Sequence, residues 1–313
     1  MSIGKKIKII RKKMEFFKRI KKYQSLYMML IPVIIGFLLF QYIPIFYSII
    51  VGFKNYSIAD GLLRSPWVGL KYFVQFFKDP FCFRLLRNTI LLGFYTFLWW
   101  FPTPIIIALL LNEARRKFFK RFIQTAIFLP YFISIVILIG IMYNLLGSEG
   151  IINSFIKSIG LKSINFISNP AFFRTLYISS EVWQKAGWAS VIYLAALAGV
   201  NPVLYEASTI DGANRWQQMW YISISEIRPT IIFILIWSIG NMLNVSFEKV
   251  VLMYGPATYS TSDILQTYVY RRGILGMEYG YGGAVGLINS IISISLLMIM
   301  NSVMKKTAGE NLW

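Results

Sequence analysis

The fold class predicted by this sequence is all-α: a polytopic membrane protein with six transmembrane helices. Three observations predict it. Of 313 residues, 57% are hydrophobic and only 14% charged, and mean hydropathy is +0.59; a soluble core of this size could not hide so much apolar surface. Uncharged apolar runs recur along the chain, several of them reaching the roughly 20 residues that a helix needs to cross a hydrocarbon layer about 30 Å thick. The connections between these runs divide their Lys and Arg unequally, as an oriented membrane protein does.

The elements follow in chain order. Ten of the 32 Lys and Arg stand between Lys5 and Lys22, ahead of the first apolar run. Ile7, Ile10, Met14 and Phe17 recur among them at helical spacing, which predicts a basic amphipathic segment over 1–25 lying on an anionic cytoplasmic leaflet. No nucleic-acid recognition motif accompanies the charge. The apolar run from Leu26 to Phe53 is longer than the roughly 7 to 15 residues of a secretory signal core and lacks a small-residue cleavage site, so it is expected to remain as the first span. The six spans are expected near 26–53, 88–111, 122–146, 175–198, 230–247 and 283–304, followed by a tail at 305–313. The fourth holds Glu181 and Lys185, and the fifth is interrupted by Asn241 and Asn244. Such residues belong to helices that face protein or a pathway instead of lipid.

Orientation comes from the charges. The amino end, 112–121, 199–229 and the carboxyl tail carry 10, 5, 2 and 2 Lys and Arg, against 6, 3 and 3 in 54–87, 148–174 and 248–282. Both termini are therefore expected on the cytoplasmic side. The first outer connection is aromatic-rich, with Tyr72, Phe73, Phe76, Phe77, Phe81 and Phe83, a composition suited to the membrane interface or to a docked partner.

Composition also excludes functions. Net charge is +19 and histidine is absent, which removes imidazole metal sites and catalysis by a His base. Cys82 is the sole cysteine, so no internal disulfide or cysteine metal cluster forms, and it reads as a small apolar filler. No Gly-rich phosphate loop with Lys and Ser or Thr occurs, so the chain is not expected to hydrolyse ATP.

The stretch between spans four and five is the most informative. Tyr205 to Ile210 reads as a short helix, Gly212 as a left-handed stop, and Asn214 to Ile224 as a second helix ending near Pro229, together making a compact knob. Glu206, Ala207, Asp211, Gly212 and Ala213 resemble the EAA loop of binding-protein-dependent ABC importer permeases. Ser208 replaces the second Ala of that pattern, and Ser225 stands where the family usually has Pro. Further likenesses run through Phe119 to Thr125 with Leu129-Pro130, Ile192 to Tyr205, Phe247 to Val250, Gly255-Pro256, Asp263 with Thr267 to Arg271, and Ala284 to Leu287. They resemble the carbohydrate-uptake class, closest to its polysaccharide permease subgroup.

That resemblance implies a type I ABC importer permease domain over 26–304 in a bacterial cytoplasmic membrane, with the loop at about 199–229 inserted into an ATPase subunit. It implies as partners a second homologous permease, two ATPase subunits that hold ATP and Mg, an extracytoplasmic sugar-binding protein and an oligosaccharide. No cofactor is expected on this chain. Trp237, Asn241, Asn244 and Glu248 follow i, i+4, i+7, i+11 and are expected to share one helical face. Glu181, Lys185 and Trp188 do the same in span four, while Asn289, Tyr95 and Trp99 add an amide and aromatics. Aromatic faces with amides and carboxylates suit sugar recognition, although buried Asn also joins helices and an i, i+4 Glu-Lys pair also neutralises itself. A membrane-embedded enzyme and a free-standing secondary transporter are the alternatives, and neither accounts for the loop at Glu206 to Ala213.

Overall fold

A computed structural model describes residues 22–114 and 116–307. The elements are almost all helical: α1 Gln24–Gly52, α2 Lys71–Lys78, α3 Cys82–Glu113, α4 Lys117–Phe128, α5 Ile135–Leu146, α6 Ile151–Ser158, α7 Pro170–Ala198, α8 Pro202–Ile210, α9 Arg215–Glu226, α10 Arg228–Gly240, α11 Phe247–Met253 and α12 Tyr279–Thr307. Among the described residues the sole β pairing is an isolated bridge between Lys54 and Trp67. The proposed amphipathic helix through Ile7, Ile10, Met14 and Phe17 lies outside the described residues.

Among the described residues four helical stretches are long and apolar enough to cross a membrane, and six are if two bent pairs each count as one span. The bends are 71° between α7 and α8 and 65° between α9 and α10. Pro202 and Pro229 each stand in the first turn after a bend, where the missing N–H costs nothing.

Two expected spans are broken. The third does not run from 122 to 146, because Pro130 interrupts it in a 3-10 turn at Leu129–Phe132 and Ile133 and Ser134 are extended. Ser134 then starts α5 afresh, its hydroxyl accepting the Ile137 N–H at 3.3 Å, as an N-cap does. The apolar stretch that can cross is Ile135–Ser158.

The fifth expected span ends at Gly240, so Asn241, Asn244 and Glu248 do not continue the face of Trp237. Asn241 donates from Nδ2 to the Trp237 carbonyl at 2.9 Å, and Asn244 donates to Asn241 Oδ1 at 3.0 Å. The Asn241 side chain thus doubles on a carbonyl that its own backbone N–H already meets at 3.2 Å, and Asn244 steadies that side chain, so the two amides fix the turn at the break. Gly93 of α3 makes room for it: a Cβ there would stand 2.2 Å from the Met242 carbonyl oxygen.

The core gathers around α7. Phe173, Tyr177 and Ile178 pack with Leu92 of α3, Leu138, Ile139 and Met142 of α5, and Val245, Val250 and Ile264 beyond the break. A second cluster joins Phe76, Cys82 and Leu85 to Leu265, Tyr268, Tyr281 and Val285, so the single cysteine is a buried filler as read. Asp79 fastens this cluster: burial raises its carboxyl's pKa, yet hydrogen bonds from Tyr268, Phe81 N–H and Tyr281, with the Arg272 charge, hold it below its usual range.

Candidate functional site

An open cavity of about 250 Å³ lies where the fifth span breaks. Gly93, Thr96, Phe97 and Trp100 of α3 form one wall, and Tyr177, Glu181 and Lys185 of α7 form another. Trp237, Ser238, Asn241, Met242, Asn244 and Val245 complete it. Five of the eight residues proposed for a pathway therefore meet here: Glu181, Lys185, Trp237, Asn241 and Asn244. Trp188 does not, because its ring stacks on Tyr131 at 4.8 Å beside Phe128. Glu248 is exposed in the first turn of α11, and Asn289 lines a separate hollow with Gln266 and Tyr270. On α3 the inward positions are Thr96, Phe97 and Trp100, while Tyr95 and Trp99 are exposed.

Glu181 is bound on both oxygens, one to Lys185 and the other to Lys249 Nζ at 2.9 Å. Side-chain exposure separates the two cations, at 0% for Lys249 and 44% for Lys185. The Lys249 ammonium also lies 5.0 Å from the Tyr177 ring centre, and Tyr177 OH accepts the Ser246 N–H at 3.0 Å. Residues 246–249 are thereby tied to α7. Sequence reading found the i, i+4 pair and missed Lys249, because its partner lies 68 positions away.

A second charged group lies one to two turns toward the start of α3 and α7. Asp263 accepts both guanidinium nitrogens of Arg271 at 3.2 and 2.8 Å and one from Arg84 at 3.5 Å. Arg87 donates to the Ser260 carbonyl at 3.1 Å, and Arg174 to Asn88 Oδ1 at 3.0 Å. Asn88, wholly buried, passes its own N–H groups to the carbonyls of Ser260 and Asp263. The signal that could have found this group is the i, i+4, i+8 spacing of Asp263, Thr267 and Arg271, since Thr267 donates to Asp263 Oδ1 at 2.9 Å.

At the opposite end of α7, α8 and α9 fold against each other. Gly212 has φ +79°, the left-handed conformation expected of it. Asn214 caps α9 in a reciprocal box with Gln217, which the sequence reading had not noticed. The hydroxyl of Ser208 accepts Gln218 Nε2 at 3.0 Å, Thr209 Oγ1 accepts the same amide at 2.9 Å, and Tyr205 OH meets Ser223 Oγ at 2.9 Å. The second helix ends at Glu226, and it widens into a π turn at Met219–Ser223 on the way. Glu206, Ala207, Asp211 and Gly212 are exposed and Ala213 half-buried, and Glu113 of α3 pairs with Arg215 at 3.4 Å.

Comparison with known proteins agrees with this architecture. Residues 100–307 match the family described as binding-protein-dependent transport system inner membrane component. Protein LplB of Bacillus subtilis is 42% identical over 295 residues, covering 94% of this chain and 92% of its own. The polygalacturonan/rhamnogalacturonan transport system permease protein YteP of the same organism is 41% identical over 289 residues, 92% of this chain and 90% of its own. Among solved structures, a bacterial ABC transporter involved in import of the acidic polysaccharide alginate superposes with TM-score 0.86 at 38% identity, over 94% of this chain and 99% of that one. With apolar helices sufficient for up to six spans and this likeness over nearly its whole length, the chain belongs to the binding-protein-dependent transport system inner membrane components, as an ABC importer permease of type I fold and not an enzyme.

Proposed function

We propose that this permease moves oligosaccharides into the cytoplasm and is driven by a partner ATPase docked on the knob of α8 and α9. The surface of that knob carries the reading. Ile210, Trp216, Trp220 and Tyr221 are between 66% and 87% exposed, on a unit braced internally by Gln218, Ser208 and Tyr205. Large apolar side chains held rigidly outward, with Glu206 and Asp211 beside them, fit a protein partner. ATP and Mg belong to that partner, and two copies of it, a second permease and an extracytoplasmic sugar-binding protein complete the importer. The Arg215–Glu113 pair gives a mechanical link, since Glu113 ends the helix whose Gly93 to Trp100 segment walls the cavity.

The cavity suits a glycan. Trp100 and Trp237 offer ring faces, and each of Asn241 and Asn244 uses one N–H at the break, leaving a second for a sugar hydroxyl. Relatives named for polygalacturonan and for arabinooligosaccharides support the substrate class. Reconstitution with the partner subunits tests both halves. Gly212→Val forces a branched side chain to φ +79°, a strain of about 1 to 2 kcal/mol, although a Cβ there meets nothing within 4 Å in this chain. The variant is expected to express normally and to lose sugar-stimulated ATP hydrolysis and uptake. Full stimulation in the variant complex would remove the knob from coupling.

A further inference from the structure

Charge along the inner face of α7 is unbalanced in one direction. Arg174, Tyr177, Glu181 and Lys185 are spaced 3, 4 and 4 residues apart and therefore share one helical face over about 16 Å. At its upper end Arg84, Arg87, Arg174 and Arg271 cluster around Asp263, the one carboxylate that pairs with any of them among the described residues. Asp263 is wholly buried, while Arg84 and Arg271 keep 30% of their side-chain surface and Arg87 is exposed. At its lower end two ammonium groups share Glu181. The buried Lys249 is matched by that carboxylate, so the charge of Lys185, 44% exposed in the cavity wall, is the surplus.

Excess cations held on a rigid frame attract anions and discriminate against neutral ligands. We infer that the glycan carried through this chain is anionic, its carboxylates meeting first the arginine cluster and then Lys185. This rests on the importer reading above and narrows its substrate to sugars bearing uronic acids. Guanidinium groups recognise carboxylates in two-pronged fashion, which suits the first contact, and a single flexible ammonium suits a site that must release its ligand. Two similar proteins carry names of the same chemistry, a polygalacturonan permease and an importer of the acidic polysaccharide alginate.

The test uses the complete importer in proteoliposomes with oligogalacturonates and alginate oligomers, the carboxyl methyl esters of both, and neutral arabino-oligosaccharides. The acids are expected to enter at least tenfold faster than their esters. Lys185→Gln leaves the buried Glu181–Lys249 pair intact, so the complex assembles; the acid-to-ester uptake ratio should fall about tenfold and recover in Lys185→Arg. Arg87→Gln should lower the same ratio. A wild-type preference for esters or neutral sugars would overturn the inference and leave the importer reading standing, and uptake of none of these glycans would overturn both. A loss in Arg87→Gln shared equally by acid and ester would assign the cluster to protein docking and overturn its role in binding the glycan.

Discussion

Glu181 sits where burying a charge costs most, and the chain meets that cost with two cations of unlike character. Lys249 has no exposed surface at all, and a buried ammonium stripped of its only carboxylate is strongly destabilising. Removing the cation instead leaves Glu181 still bound to Lys185. Lys249→Met should therefore cost roughly 1 to 3 kcal/mol, less than a full orphaned charge. Adding Glu181→Gln to that variant should return more than half of the loss, since neither buried charge then remains. Thermal unfolding of the detergent-solubilised complex reads both, and a double variant no more stable than Lys249→Met would show that the two groups do not act as a pair.

At the scale of elements, the break after α10 decides the shape of the cavity, and Gly93 is what lets the broken segment approach α3. A methyl group there would stand 2.2 Å from the Met242 carbonyl oxygen, so the backbone of 241–245 must move. Gly93→Ala is expected to lower stability by about 1 to 3 kcal/mol, as overpacking does, and to weaken protection of the Met242 and Asn244 amides, which bond the Ile239 and Asn241 carbonyls, in hydrogen exchange. Unchanged exchange would mean that the break does not lean on α3. This element also shows what the sequence concealed. Apolar content announced a helix over 230–247, but whether Asn241 continues it or caps it depends on the Trp237 carbonyl and on a glycine about 150 positions earlier, so a local pattern could not decide. The third span was different: Pro130 and Ser134 carried a local signal for a stop and a fresh start, which the apolar run masked. The knob was legible because its determinants, Gly212 and the small residues around it, act within a few positions. The cavity was legible only residue by residue, since its walls come from three helices and the buried ion pair behind Glu181 spans 68 positions.

Across the whole molecule the arginine cluster and the knob lie at opposite ends of α7, which at 29 residues is roughly 43 Å long, with Glu181 and Lys185 near its middle. Arg174 stands one turn from its start and the bend into α8 follows its end, so whichever side the knob occupies, the arginine cluster faces the other. The Lys and Arg counts predict a cytoplasmic knob, with 19 in the connections on its side against 12 in longer connections opposite. In that orientation the proposed anion would arrive from outside at the arginines and the proposed ATPase would grip from within. Single cysteines in a Cys82→Ser background separate the two faces, because Cys82 is the only native thiol. Leu63 is 93% exposed in the connection ahead of α2, and Ile210 is 87% exposed on the knob. Leu63→Cys should react with a membrane-impermeant thiol reagent in intact cells. Ile210→Cys, expressed without the ATPase partners so that nothing shields the knob, should react only after the cells are permeabilised. Labelling of the knob and protection of Leu63→Cys in intact cells would invert the protein, placing the arginine cluster inside and removing its part as the first contact for an incoming acid.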